Sequence, residues 1–310
     1  MTFDQTISDE GRSIKIDALL LNWHDEERTT EAINRLLDEE LVRNVIVVDN
    51  ESSGRLRPQV RPRVGLIEQA ENRGFAGGIN PGLRSSLERG VDAVLVINTD
   101  AYLLPGALER LRDAFEVTRS DGVPVGLIAP RVMNTDGSPQ STGGSFNPWF
   151  ASTDDLSSRA IDYLTWACVL VPSTSLERIG LLDESFFMYW EDVDYGLRVL
   201  DGGLHLLTVP DAIAVHEKSV SHSKAGGVID RYSARGLTVL CLKRRGPALW
   251  FGLPFRVAGR LLIRLVTRRS PHFVAQGVFD GVRAHRQAKD HRRAVNGGSA
   301  HDLTPSREIP

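Results

Sequence analysis

The run Phe186-Phe187-Met188-Tyr189-Trp190-Glu191-Asp192-Val193-Asp194-Tyr195-Gly196-Leu197-Arg198 places three carboxylates directly behind a wall of aromatic side chains. Aromatic surroundings exclude water and disfavour the anion, so a carboxylate held there takes up a proton more readily than one in bulk solvent. Such a group suits general-base work on a hydroxyl. The same residues also fit an ordinary helix start, with acids at the positive end of the helix dipole. The rest of the chain has to decide between the two.

Buried strands and amphipathic helices alternate ahead of this run, the pattern of an α/β sheet with parallel strands. Strands are expected over 14–21, 44–48, 64–67 and 93–97, and helices over 28–39, from the Gly-rich turn 72–78 to about 87, and over 105–117. A further strand is expected over 212–215. Polar residues collect where the strands stop, at Asn22, at Asp49-Asn50 and at Asn98-Thr99-Asp100. In open α/β sheets the carboxyl edge of the strands is where ligands bind.

With 310 residues and 41% hydrophobic content the chain can bury a substantial core. Its two cysteines, Cys168 and Cys241, form neither a metal spacing nor a disulfide framework, which fits a reducing compartment. No apolar leader follows the first residues, and no uncharged run approaches the roughly 18 residues of a membrane span. The net charge of −3 hides an asymmetry: residues 243–293 carry 13 Lys and Arg against two Asp, leaving 24 basic and 38 acidic residues elsewhere. A basic tail section on an acidic body points to an anionic partner.

Six short motifs in order carry a resemblance. They are Leu21-Asn22-Trp23, Val47-Val48-Asp49-Asn50, Asn72-Arg73-Gly74-Phe75-Ala76-Gly77-Gly78-Ile79-Asn80, Ile97-Asn98-Thr99-Asp100, Leu182-Asp183-Glu184-Ser185-Phe186-Phe187 and Glu191-Asp192-Val193-Asp194. Over roughly 14–223 the chain resembles the family 2 glycosyltransferases of the GT-A fold, and within them the rhamnosyltransferase-like branch. The resemblance implies a mainly parallel mixed α/β sheet with a helical C-terminal extension. It divides the chain into a flexible N-terminus over 1–13, a catalytic domain over 14–225, a basic helical extension over 226–293 and a flexible tail over 294–310.

The resemblance also implies roles. Asp192 becomes the base that takes the proton of an acceptor hydroxyl, while Glu191, Trp166 and Trp190 shape the acceptor pocket. Trp166 stands where similar enzymes usually carry glycine, and a core position fits it equally. Asp194 is expected to hold Arg198 or a helix-end amide. Asn22, Asp49, Asn50, Asn72, Arg73, Gly74, Gly78, Asn80, Asn98 and Asp100 are expected around the nucleotide, with the glycines letting backbone approach it and Arg73 meeting a phosphate. Asn98-Thr99-Asp100 occupies the place of the family's Asp-x-Asp metal motif, with Asn98 replacing the first acid. Asp100 and His216 are therefore the expected ligands for Mg²⁺ or Mn²⁺, hard ions that favour oxygen and accept imidazole. His216 suits that place better than His222, and His24 and His205 receive no role.

The implied reaction is an inverting transfer of L-rhamnose from dTDP-L-rhamnose to a hydroxyl of a glycan or lipid-linked glycan, in cell wall or polysaccharide biosynthesis. The alternatives are a galactofuranosyl- or other hexosyltransferase using a UDP-sugar, and a non-catalytic sugar-nucleotide-binding protein. In the basic section, Arg256, Arg260 and Arg264 interrupt an apolar stretch at four-residue spacing, which stacks them on one helical face. Such a stripe, with Pro254 near the helix start, fits a helix lying on anionic lipid, and a helix packed on the body is the competing expectation. A cytoplasmic enzyme, peripheral at the inner face of the membrane, follows. Nucleic acid is not an expected partner, because the basic section lacks interleaved aromatics for stacking.

Overall fold

Apolar runs rich in Val, Ile and Leu without polar alternation require burial on both faces of a sheet, and these strands are buried on both. The computed structural model describes residues 14–157, 160–217, 226–244, 246–266 and 270–298. Strands β1 (Ile16–Asn22), β2 (Val42–Asn50), β3 (Val64–Gln69) and β4 (Ala93–Ile97) pair in parallel in the order β3-β2-β1-β4. Helices α1 (Glu26–Asp38), α2 (Gly74–Glu88) and α3 (Ala107–Ser120) connect and cover them. Side chains alternate between faces along β1: Ile16, Ala18 and Leu20 pack with Ile33, Leu36 and Leu111, whereas Leu19 packs with Ile79 and Leu83.

The second half makes the sheet mixed. It contributes β5 (Ala101–Leu103), β6 (Val125–Met133), β7 (Pro139–Ser141), β8 (Ser145–Asn147), β9 (Ser152–Asp154), β10 (Cys168–Pro172), α4 (Ser173–Ile179), α5 (Glu191–Asp201) and β11 (His205–His216). Strand β10 enters antiparallel beside β4, β11 runs parallel to β6 and antiparallel to β5, and the order is β3-β2-β1-β4-β10-β6-β11-β5 with β7 on β6. A separate β8–β9 hairpin stands off the sheet. Asn22, Asp49-Asn50 and Asn98-Thr99-Asp100 lie at the carboxyl ends of β1, β2 and β4, on one edge.

Among the described residues three helices follow, α6 (Gly226–Arg244), α7 (Pro247–Val266) and α8 (His272–Gly298). Two boundaries differ from expectation. Pro254 lies inside α7, whose start is Pro247, and α8 continues to Gly298, beyond the boundary at 294 expected for the tail. Among the described residues no helix is long and apolar enough to cross a membrane. Leu237, Leu240 and Cys241 of α6, Leu249 of α7 and Ala284 of α8 share a core with Phe186, Trp190 and Val193. The extension thus covers the segment that carries the three carboxylates.

One ion-pair network joins them. Lys243 Nζ lies 2.7 Å from Asp183 Oδ2 and 2.8 Å from Asp194 Oδ1, with all three side chains largely buried. Arg198 Nε completes it at 3.0 Å from Asp194 Oδ2, the pairing expected from the i, i+4 spacing. Burial alone would raise the Asp183 pKa, but the Lys243 ammonium outweighs it and holds the carboxyl at about 2. Because that folded value is depressed, its stabilisation is present above the unfolded value of about 3.9 and is lost as pH falls toward 2. Lys243→Met should therefore leave the buried Asp183 without its cation and Asp194 with Arg198 alone, and lower stability by about 3 kcal/mol at pH 7. Urea unfolding against pH checks this, the gap between parent and variant narrowing below about pH 4.

Candidate active site

The three-carboxylate run is built on a strained turn. Tyr189 and Trp190 both adopt left-handed backbone, with φ of +68° and +73°, and Trp190 is the residue from which α5 starts. Such conformations cost on the order of 1–3 kcal/mol each and persist only where neighbours over-determine them. Here two helices do so at glycines. A Cβ on Gly74, at the start of α2, would lie 2.0 Å from the Phe187 carbonyl oxygen, which instead accepts the Phe75 N–H at 2.6 Å. A Cβ on Gly236 of α6 would lie 2.3 Å from the Tyr189 carbonyl oxygen.

The turn delivers Glu191 and Asp192 to the N-terminus of α5, inside a cavity of about 270 Å³ also lined by Asp155, Tyr163, Trp190, Arg256 and Arg260. Both carboxyls are pushed above the ordinary carboxylate range. For Glu191 the causes are burial and then the Asp192 charge. For Asp192 burial dominates; Asp155 adds to it, and the hydrogen bond from the Val193 N–H, 2.8 Å from Asp192 Oδ1, opposes it. Glu191 Oε2 has no hydrogen-bond partner among the described residues. A neutral Glu191 can donate to a substrate oxygen while Asp192 accepts a proton. Asp155 and Tyr163, which bond through the Tyr163 hydroxyl, were not singled out from sequence, since only the β8–β9 hairpin and the loop after it bring them to the acids.

A second cluster sits at the ends of β4, β7 and β11. His216 Nε2 lies 3.1 Å from Asp100 Oδ1 and 3.4 Å from Asn98 Nδ2, while Nδ1 lies 3.1 Å from Gln140 Oε1. If Gln140 accepts Nδ1–H, the Nε2 lone pair faces a carboxylate oxygen, an arrangement that calls for a proton or a cation between them. One carboxylate, one imidazole and an amide suit a hard divalent ion that keeps water or substrate oxygens as its other ligands. No group of three His, Cys, Asp or Glu side chains that could hold a metal occurs among the described residues. The pairing of β11 with β5, His216 opposite Ala101, brings together residues 116 apart in sequence.

Along the β1–β2 edge, several residues expected to face a nucleotide are committed to the protein itself. Asn22 Nδ2 donates to Asp49 Oδ1 at 2.6 Å, and its oxygen accepts from Thr29 Oγ1 at 2.8 Å. Asn50 clamps the turn after β3, donating to Asn72 Oδ1 and the Gly74 carbonyl and accepting the Arg73 N–H. Asn80 is turned away, bonded to both backbone groups of Leu182 and to Glu184. Gly74 and Gly78 serve close packing, Gly74 against Phe187 and Gly78 against Leu21. Arg73 pairs with Glu184 at 2.9 Å, both half exposed. Asp49 keeps a buried Oδ2 without a partner among the described residues, and Trp23 stands exposed beside it, its indole donating to Glu51 at 3.0 Å.

Two further expectations are corrected. Trp166 does not line the acid cavity; it is buried in the core behind α5, edge-on to Phe75 and Tyr195 with centroids 6.3 and 5.1 Å away. The arginine face of α7 turns inward: Arg260 donates to Ser233 at 2.9 Å, Arg264 pairs with Asp230, and Arg256 and Arg260 line the acid cavity. What α7 exposes is apolar, namely Trp250, Phe251, Phe255, Leu262 and Ile263.

The pattern of glycosyl transferase family 2 matches residues 22–180. The low-salt glycan biosynthesis hexosyltransferase Agl10 of Haloferax volcanii is 24% identical over 281 residues, covering 85% of this chain and 89% of that protein. An N-acetylglucosaminyl-diphospho-decaprenol L-rhamnosyltransferase of Mycobacterium tuberculosis is 26% identical over 268 residues, covering 73% and 85%. Among solved structures, GalNAc-T7 with UDP, GalNAc and Mn²⁺ superposes with a TM-score of 0.54 at 10% identity, covering 83% of this chain. The chain spans 58% of that longer protein.

Proposed function

The chain belongs to glycosyl transferase family 2 on a GT-A sheet, and we propose that it transfers L-rhamnose from dTDP-L-rhamnose, with inversion, to a hydroxyl of a lipid-linked glycan. The observation that carries the reading is the dehydrated pair Glu191–Asp192 at the start of α5. The sugar is supported by the relative whose name specifies L-rhamnosyl transfer, and a broader hexosyl donor by the name of the other.

In this mechanism Asp192 accepts the proton of the acceptor hydroxyl as its oxygen bonds to the anomeric carbon, and the bond from that carbon to the diphosphate oxygen breaks on the opposite face. Glu191, protonated, donates to an acceptor oxygen and holds it in place. Trp190 walls the cavity against water. Asp49 Oδ2 takes a donor from the base or ribose, oriented by Asn22, and Trp23 offers a flat face to the base. Arg73 would reach a phosphate only by leaving Glu184. Asp100, His216 and Asn98 would hold Mg²⁺ or Mn²⁺, which when bound offsets negative charge on the diphosphate. The exposed apolar face of α7, rather than its arginines, is the surface with which the enzyme would rest on the cytoplasmic side of a membrane.

Asp192→Asn should retain nucleotide binding while turnover falls roughly 10²–10⁴-fold; near-parental turnover in a sugar-nucleotide release assay would reject Asp192 as the base. Because the base must be ionised, kcat/KM should decline as pH falls through the raised Asp192 pKa. Asp155→Asn removes one of the charges raising it, so that acid limb should move to lower pH, and an unmoved or upward-shifted limb in a pH–rate series would exclude the assignment.

The second cluster is tested through its outer partner. Gln140→Leu removes the hydrogen bond that orients His216 and should weaken Mn²⁺ binding about 10-fold or more, read as free Mn²⁺ by electron paramagnetic resonance with nucleoside diphosphate present. Unchanged affinity would assign the cluster a structural role.

A further inference from the structure

Arg256 and Arg260 stand one turn apart on α7 and line the same cavity as Glu191 and Asp192. Like charges at that spacing repel, and burial adds to the cost. The nearby carboxylate of Asp230 is taken by Arg264. Neither Arg256 nor Arg260 has a carboxylate within salt-bridge distance among the described residues; Arg260 has the Ser233 hydroxyl at 2.9 Å, and the buried Arg256 Nε has no hydrogen-bond partner. Burial first, and then the Arg256 charge, push the Arg260 pKa down, with the Asp230 carboxylate of the same cavity partly opposing them and Arg264 adding to them. Two guanidiniums that line one cavity without a salt-bridge partner among the described residues, one of them with a buried and unbonded Nε, offer donors to an anion, and the guanidinium fork matches phosphate oxygens.

The other groups of the cavity define what the anion is attached to. Asp192, Glu191 and Asp155 make the opposite lining acidic, so an all-anionic ligand is unsuited to it, whereas a hydroxylated ring with a phosphate at one end meets both parts. About 270 Å³ suits one sugar ring and little more. Beside Arg256, Phe255 lies exposed with its ring centroid 6.1 Å from that of Phe150, and Trp149, Trp250 and Phe251 extend this apolar surface. We propose that Arg256 and Arg260 form a subsite for the phosphate or diphosphate of a lipid-linked acceptor, whose hydroxyl is thereby presented to Asp192. The inference rests on the transferase reading for the role of Asp192, but not for the anion itself.

The probe is octyl diphosphate, titrated calorimetrically into the full-length protein below its micellar concentration, with octyl glucoside as the uncharged counterpart and dTDP as a control. Arg256→Gln/Arg260→Gln should weaken octyl diphosphate binding by roughly tenfold or more, with octyl glucoside and dTDP affinities retained. Should that pair fail to fold, Arg256→Lys/Arg260→Lys keeps the charge and loses the fork, and weakened octyl diphosphate binding there supports the subsite equally. Equal affinities in parent and variant overturn it. Loss confined to dTDP overturns it in favour of the donor diphosphate. Loss confined to phosphatidylglycerol vesicles overturns it in favour of a membrane headgroup contact. Octyl diphosphate affinity that falls on substitution, in a protein that turns over no sugar nucleotide, supports the anion subsite and rejects the transferase reading separately.

Discussion

The geometry of the acid pair depends on two adjacent residues with side chains, Tyr189 and Trp190, being held in left-handed backbone. Relaxing either would swing the first turn of α5, and with it Glu191 and Asp192, away from the cavity. The turn is held from opposite sides in sequence, by Gly74 of α2 against the Phe187 carbonyl and by Gly236 of α6 against that of Tyr189. Only a missing Cβ permits contacts that close. The sheet domain and the C-terminal helices therefore both take part in positioning one turn, so the extension belongs to the site.

Charge follows the same division. Lys243 reaches from α6 to Asp183 and Asp194 and neutralises carboxylates that pack behind the site, leaving Glu191 and Asp192 as the unneutralised acids in front of it. Burial then acts on these two without a cation in contact, which is why their proton affinity rises while that of Asp183 falls. Arg256 and Arg260 line the same cavity. Acids and guanidiniums thus share one cavity, with no salt bridge from Arg256 or Arg260 to Glu191, Asp192 or Asp155 among the described residues.

Legibility differed between the sheet and the site for a physical reason. Strands and helices are local: period, apolar run length and turn residues placed β4 over 93–97 and put the other early elements within a few residues of their observed ends. The carboxyl-edge clustering of Asn22, Asp49, Asn50, Asn98 and Asp100 followed from where those runs stop. The order of six short motifs carried the family, because spacing along the chain survives even when individual side chains take other duties.

What those side chains bond to within the protein was decided by packing. Asn80, Gly74 and Gly78 belong to motifs whose order is readable, yet they are spent on Leu182, Phe187 and Leu21, contacts that exist only once α2 lies on the sheet. Trp166 could have lined the cavity or filled the core, and the edge-on contacts with Phe75 and Tyr195 chose the core. For α7, sequence alone determined that Arg256, Arg260 and Arg264 share a face. Periodicity establishes that a face exists but not which way it points, and here Ser233, Asp230 and the acid cavity drew the arginines inward and left the aromatic residues outside.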